Sequence, residues 1–74
     1  MEKYWLGPVH DLDDFGNQIH DEFVDGCISS DHGGNGAWAI MTPEAHNHIG
    51  VGLGMGRGQR YKKQADGRWL RVEG

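Results

Sequence analysis

Seventy-four residues suffice for one small domain, and a chain of this size buries only about 60% of the surface its unfolded form exposes. A hydrophobic content of 36% beside 13 glycines leaves a thin core, and the single Cys27 excludes an internal disulfide. The sequence contains neither an apolar run of membrane-spanning length nor a basic-then-apolar leader, so it reads as one domain over residues 1–74, cytoplasmic and without membrane contact.

The net charge of −4 conceals an asymmetry. Residues 1–50 carry one base against nine acids, and residues 51–74 carry six bases against two acids. Binding to nucleic acid through phosphates is driven by counterion release, which an excess of carboxylates opposes. The balance therefore favours a protein partner for the chain as a whole, with a basic face able to lie near nucleic acid.

In chain order, Tyr4-Trp5-Leu6-Gly7-Pro8-Val9 is apolar and then broken by Gly-Pro, which predicts a short strand or an extended arm within residues 1–10. Residues 11–17 are acidic and turn-rich, and the neighbouring pairs Asp13-Asp14 and Asp21-Glu22 read as solvated carboxylates, because acid–base work needs a desolvated pocket. Residues 18–28 contain Ile19, Phe23, Val24 and Ile28, a bent strand with Asp25-Gly26 as a turn signal inside it. Cys27 reads as a small core residue. The stretch SSDHGGNG that follows is a loop, with glycines supplying positive backbone angles. Ala37-Trp38-Ala39-Ile40-Met41 is apolar throughout and reads as central to the core.

Thr42-Pro43-Glu44 supplies an N-cap, a proline at the first helical position and an acid in the first turn, so a two-turn helix is predicted from Pro43 to Ile49. Gly50 fits the left-handed residue just past such a helix. His46 and His48 stand about 200° apart around that helix, so they cannot share an ion there and read as exposed or hydrogen-bonded histidines.

Next comes GVGLGMGRG, with glycine at every even position from 50 to 58. The dinucleotide and Walker fingerprints need glycines an odd number of residues apart, so the run satisfies neither. Two conformations remain open for it: an extended strand with a smooth glycine face opposite Val51, Leu53 and Met55, or a loop. Beyond it, Asp66-Gly67 between the arms 59–64 and 68–73 predicts a β-hairpin, with Tyr61, Trp69, Leu70 and Val72 giving its apolar contacts. Arg57, Arg60, Tyr61, Lys62 and Lys63, joined across the hairpin by Arg68 and Arg71, interleave cations with an aromatic ring, a composition suited to nucleic-acid backbones and to arginine-rich protein interfaces, and equally to the exposed face of an ordinary hairpin.

From residue 11 to the end the chain resembles a group of small phage and proteobacterial proteins that end as GVGLGMGRGQRYKKQADGRWLRVEG does. Their earlier part carries C-x-x-C-G and then P-W-A-x-M-C-P-x-C-H, as in a small zinc finger. The four positions that correspond to the cysteines are Leu12, Phe15, Thr42 and Ala45, none of which binds zinc. The resemblance therefore implies a metal-free, zinc-finger-like fold in which apolar packing and a helix cap replace the ion. Within the group, the chain's length and acidic start resemble phage transcription regulators that bind host bacterial RNA polymerase, block promoter initiation by displacing the sigma factor and permit terminator read-through.

Together these readings predict a small α+β domain with a short antiparallel sheet, a C-terminal hairpin and one two-turn helix. Its core is expected to hold Phe15, Phe23, Trp38, Ile40, Met41, Ile49, Trp69 and Leu70. The expected function is stoichiometric binding of bacterial RNA polymerase, with no catalysis, cofactor, metal or small-molecule substrate, and with nucleic acid close by. The expected contact residues are Tyr4, Trp5, Arg57, Arg60, Tyr61, Lys62, Lys63 and Arg68. The alternatives are a nucleic-acid-binding module using the basic hairpin, and a phage inhibitor of another host protein.

Overall fold

The computed structural model describes residues 2–34 and 36–74. It is an α+β domain: a four-stranded antiparallel sheet in the order β2-β1-β3-β4, formed by β1 (Glu22–Cys27), β2 (Trp38–Met41), β3 (Gly58–Lys63) and β4 (Trp69–Glu73), with one α-helix among the described residues, α1 (Pro43–Ile49), and a single 3-10 turn at Ser30–His32. No helix among the described residues is long and apolar enough to cross a membrane.

The helix forms where its local chemistry predicts. Thr42 is extended and its Oγ1 accepts the Ala45 N–H at 3.2 Å, and Pro43 takes a position whose N–H would have no partner in any case. Its C-terminus differs from expectation. Gly50 has φ −85° and ψ 174°, ordinary extended backbone, because the chain runs straight on into a bridge with Ile28. Glycine is needed there for space, since a Cβ would overlap the His46 imidazole.

The glycine run is a loop. Gly52, Gly54 and Gly56 all have positive φ, so the backbone cannot hold one extended direction, and only at Gly58 does it settle into β3. Val51 and Met55 accordingly point outward instead of packing along one face, with Met55 96% exposed.

Asp25-Gly26 makes no turn. β1 passes through it without a break, and Gly26 pairs with Ala39 on one side and Gly58 on the other. A Cβ at Gly26 would press on the Met41 and Val24 side chains, and one at Gly58 would press on the Gly26 Cα, so this glycine pair permits close approach of two strands.

Val24 and Met41 form the core on the face that α1 covers, and Phe23 forms it on the opposite face; Ile19 and Ala39 complete the set of buried apolar side chains among the described residues. Of the eight expected core residues only Phe23 and Met41 belong to it, and two are exposed: Trp38 and Phe15, at 45% each. β2 is an edge strand that buries alternate residues, Ala39 and Met41, and leaves Trp38 open at its start, and Phe15 sits in a surface turn. Ile40, Ile49, Trp69 and Leu70 are half-buried.

Around Phe23 the aromatic rings interlock. Trp5 and Trp69 meet it edge-on at 5.4 and 5.1 Å, and Tyr61 stacks on it at 5.1 Å. Such pairs add about 0.5–1.5 kcal/mol each beyond the area they bury. Trp5 arrives there because residues 3–5 form an extended arm along β4: Trp5 N–H donates to Trp69 O at 2.9 Å, Arg71 N–H donates to Lys3 O at 2.8 Å, and Tyr4 bridges to Leu70. Both sheet edges are thereby occupied, since residues 13 and 14 bond to the outer side of β2.

Candidate functional site

Asp13 is buried at 6% exposure, which overturns the reading of that acid as solvated, whereas its neighbour Asp14 is exposed. Its carboxylate accepts four hydrogen bonds. Oδ1 takes the N–H groups of Phe15 (2.9 Å) and Asn17 (2.8 Å), and Oδ2 takes Thr42 N–H (2.9 Å) and Asn17 Nδ2 (3.1 Å). Asp14 continues the clamp, accepting Ile40 N–H on Oδ2 at 2.8 Å and donating its own N–H to Ile40 O at 3.0 Å. Burial by itself raises the Asp13 pKa, but the bonds from Asn17, Thr42 and Phe15 outweigh it, and the group lies below its ordinary value. These two acids therefore tie the 11–18 turn to the start of α1 and close the β2 edge, a structural role. Among the positions where the resemblance implied apolar replacement of an ion, Leu12 is 52% and Phe15 45% exposed, so a carboxylate together with the Thr42 cap holds the two segments, and apolar packing does not.

Asp25 is in the opposite condition. Burial and the nearby Asp14 charge raise its pKa. An acid with a raised folded-state pKa costs stability once the pH passes its unfolded value, and costs nothing where both states are protonated. Asp25→Asn is therefore expected to raise Tm at pH 7 and to leave it unchanged at pH 3, read by thermal melts at the two pH values.

The expected contact residues separate into two groups. Arg60 lies on the helix-side face, where its Nε donates to Glu22 at 2.7 Å; that bond is the main cause of its raised pKa. It lines a cleft of about 300 Å³ with Val24, Pro43, His46, Asn47, Gly52 and Leu53. His46 is held there by a 2.9 Å bond between Nε2 and Gly52 O. Arg57 is exposed in the glycine loop, at the far end of β3 from the hairpin turn.

The other six come together at the arm and hairpin turn. Strand register sets two rows, one on each sheet face. Lys62, Leu70 and Tyr4 are successive cross-strand neighbours, with the Arg68 guanidinium over the Tyr4 ring at 4.1 Å. Lys63, Trp69 and Trp5 make the second row, with the Lys63 ammonium 5.9 Å from the Trp69 ring centre and Trp5 edge-on to Tyr61 at 5.5 Å. Arg68 also binds Asp66 through Nε at 2.8 Å, on the exposed turn. Burial first, and Asp25 second, push the Tyr61 phenol above its usual range. Lys62 and Lys63 are exposed and form no salt bridge among the described residues.

Sequence reasoning placed Arg71 across the hairpin from the basic run but missed the participation of Lys3 and Trp69 in this surface. The hairpin register, once known, places Trp69 opposite Lys63 and Arg71 opposite Tyr61, while the docking of Lys3 beside Arg71 depends on the arm. The arm and hairpin end carries Lys3, Lys62, Lys63, Arg68 and Arg71 against Glu2, Asp66 and Glu73, a net of +2, and the remainder of the chain carries −6. Among the described residues no three His, Cys, Asp or Glu side chains converge as metal ligands would. No protein-family model, curated protein or solved structure matches the chain.

Proposed function

We propose that this protein is a phage transcription regulator that binds host bacterial RNA polymerase stoichiometrically, inhibits promoter initiation by displacing the sigma factor and promotes antitermination. The observation that carries the reading is the separation of charge in so small a body: a cationic, aromatic arm and hairpin end on an otherwise acidic domain. The resemblance of residues 11–74 to small phage and proteobacterial proteins supports it from the sequence side.

The physical logic is occupancy without turnover. An acidic body suits a basic protein surface, and the opposite sign at the other end lets that end approach the nucleic acid of the same assembly. Rigid half-buried aromatics such as Trp5, Tyr61 and Trp69 offer contact area at small entropic cost, which is how few residues give an interface most of its energy. Sigma is lost when the regulator covers a surface that sigma also needs.

Transcription from a template with one promoter and one downstream terminator tests both halves of the activity. The expected result is fewer promoter-initiated transcripts when the protein is added before the sigma-bearing holoenzyme meets the template. Added to elongating polymerase, it should increase read-through. Unchanged initiation and termination at saturating protein would remove the proposal.

A further inference from the structure

We propose that the arm and hairpin end is a binding site for single-stranded nucleic acid. Each sheet face would take one base, beside Tyr4 with its phosphate on Lys62 or beside Trp69 with phosphates on Lys63 and Lys3, the strand passing from one face to the other around the hairpin turn. The inference deepens the function proposed above by naming a second partner, and its test uses the protein alone.

Three observations converge on this end of the molecule. Each sheet face presents a cation beside an aromatic ring, Arg68 on Tyr4 at 4.1 Å and Lys63 on Trp69 at 5.9 Å. A π-face flanked by cations is the arrangement that holds an unpaired base and its phosphate together, and it tolerates any base because every base has a π-face. Second, Lys62 and Lys63 are adjacent in sequence, exposed and without a salt-bridge partner among the described residues, so their counterions are available for release, whereas Arg60 and Arg68 are held by Glu22 and Asp66. Third, the charge complementarity is local. Net positive charge is confined to this end, and the −6 of the rest of the chain disfavours the long tract of phosphates that a duplex lays across a protein.

The occupant favoured by that combination is short and single-stranded. In duplex DNA or RNA the bases are already stacked on one another, leaving only phosphates for the lysines, and three lysines against a net acidic protein give little affinity. An unpaired strand offers both parts.

The experiment is fluorescence anisotropy of labelled oligouridylate and oligothymidylate, each of about twelve nucleotides, and of a duplex of the same length, titrated with the purified protein. Three phosphate contacts predict a slope of log K against log salt of about −2, or roughly fifteenfold weaker binding on going from about 50 to 200 mM salt. The double variant Lys62→Gln/Lys63→Gln should reduce the slope to about −0.7. Tyr4→Leu, which keeps an apolar residue opposite Leu70, should weaken single-strand binding about tenfold while the melting curve shows the fold intact. The two oligonucleotides distinguish RNA from DNA as the occupant, and binding to either supports the site. The proposal is overturned by an absence of binding up to about 100 µM protein at low salt, the weak end of non-specific association. It is equally overturned by duplex binding as tight as single-strand binding, or by unchanged affinity and slope in both variants.

Discussion

Replacing Asp13 with alanine is expected to lower the stability of the fold by about 3 kcal/mol, because it leaves the N–H groups of Phe15, Asn17 and Thr42 without their acceptor. The buried Thr42 donor alone costs about 1–3 kcal/mol when orphaned, and the part-buried donors of Phe15 and Asn17 add less, because the surface turn can relax toward water. Asp13→Asn is not a mild alternative. One oxygen remains for two donors, but the other becomes an amide that points its hydrogens at the Thr42 N–H. Its expected cost is about 2 kcal/mol. Urea denaturation gives both numbers, and faster amide exchange at Thr42 would localise the loss.

The same carboxylate fixes the sign of the acid response. Its folded-state pKa is depressed, so the stability it contributes is complete above the ordinary carboxylate value of about 3.9 and is lost as pH falls through the depressed folded value. Part of the acid limb of the stability curve should therefore disappear in Asp13→Asn. With the Asp13-Asp14 clamp loosened, the outer groups of Ile40 in β2 and the Thr42 N–H just beyond that strand become available to another strand, and the alanine variant is expected to aggregate on heating where the parent refolds.

The second large effect belongs to Phe23→Ala, with an expected loss of about 4 kcal/mol. Phe23 is fully buried and is the ring that Trp5, Tyr61 and Trp69 all touch. At about 0.05–0.15 kcal/mol per residue, a domain of 74 residues has about 4–11 kcal/mol in total, so this single truncation removes from about a third of the stability to all of it. Near-UV circular dichroism should collapse, because two of the three tryptophans lose the ring that orients them. Phe23→Leu, which retains most of the volume, is expected to cost about 1.5 kcal/mol and to keep the near-UV signal. Equal costs for the two variants would mean that the aromatic packing described around Phe23 is not what holds the arm.

How far the sequence revealed this fold depended on how local the determining chemistry was. The helix and the hairpin were legible because Thr42-Pro43-Glu44 and Asp66-Gly67 act within a few residues of themselves. Asp25-Gly26 misled for the converse reason. The same dipeptide marks a turn when glycine is wanted for its backbone angle, but here it is wanted for its missing side chain, where β1 meets Gly58. Asp13 was half legible. The bonds to Phe15 and Asn17 belong to a local aspartate turn, whereas the bond to Thr42 spans 29 residues and follows from nothing nearby. Trp38 shows the limit of hydrophobic pattern: an apolar run reads as central, and only the strand order places it at an edge.

Much the same division applies to the candidate site. Its cations and Tyr61 were visible as a cluster in the sequence, but the pairing of Arg60 with Glu22 and of Arg68 with Asp66 determines which of them have charge to offer. The arm joins the hairpin through backbone bonds to β4 that no side-chain pattern announces, and with them come Tyr4, Trp5 and Lys3.

The most direct test of the proposed function is co-migration of the purified protein with bacterial RNA polymerase core enzyme on size exclusion, with and without sigma factor, at two salt concentrations. The account predicts a stoichiometric complex with core enzyme and a smaller fraction of sigma retained when the protein is present. Elution of the protein away from polymerase at both salt concentrations, with sigma retention unchanged, would contradict it.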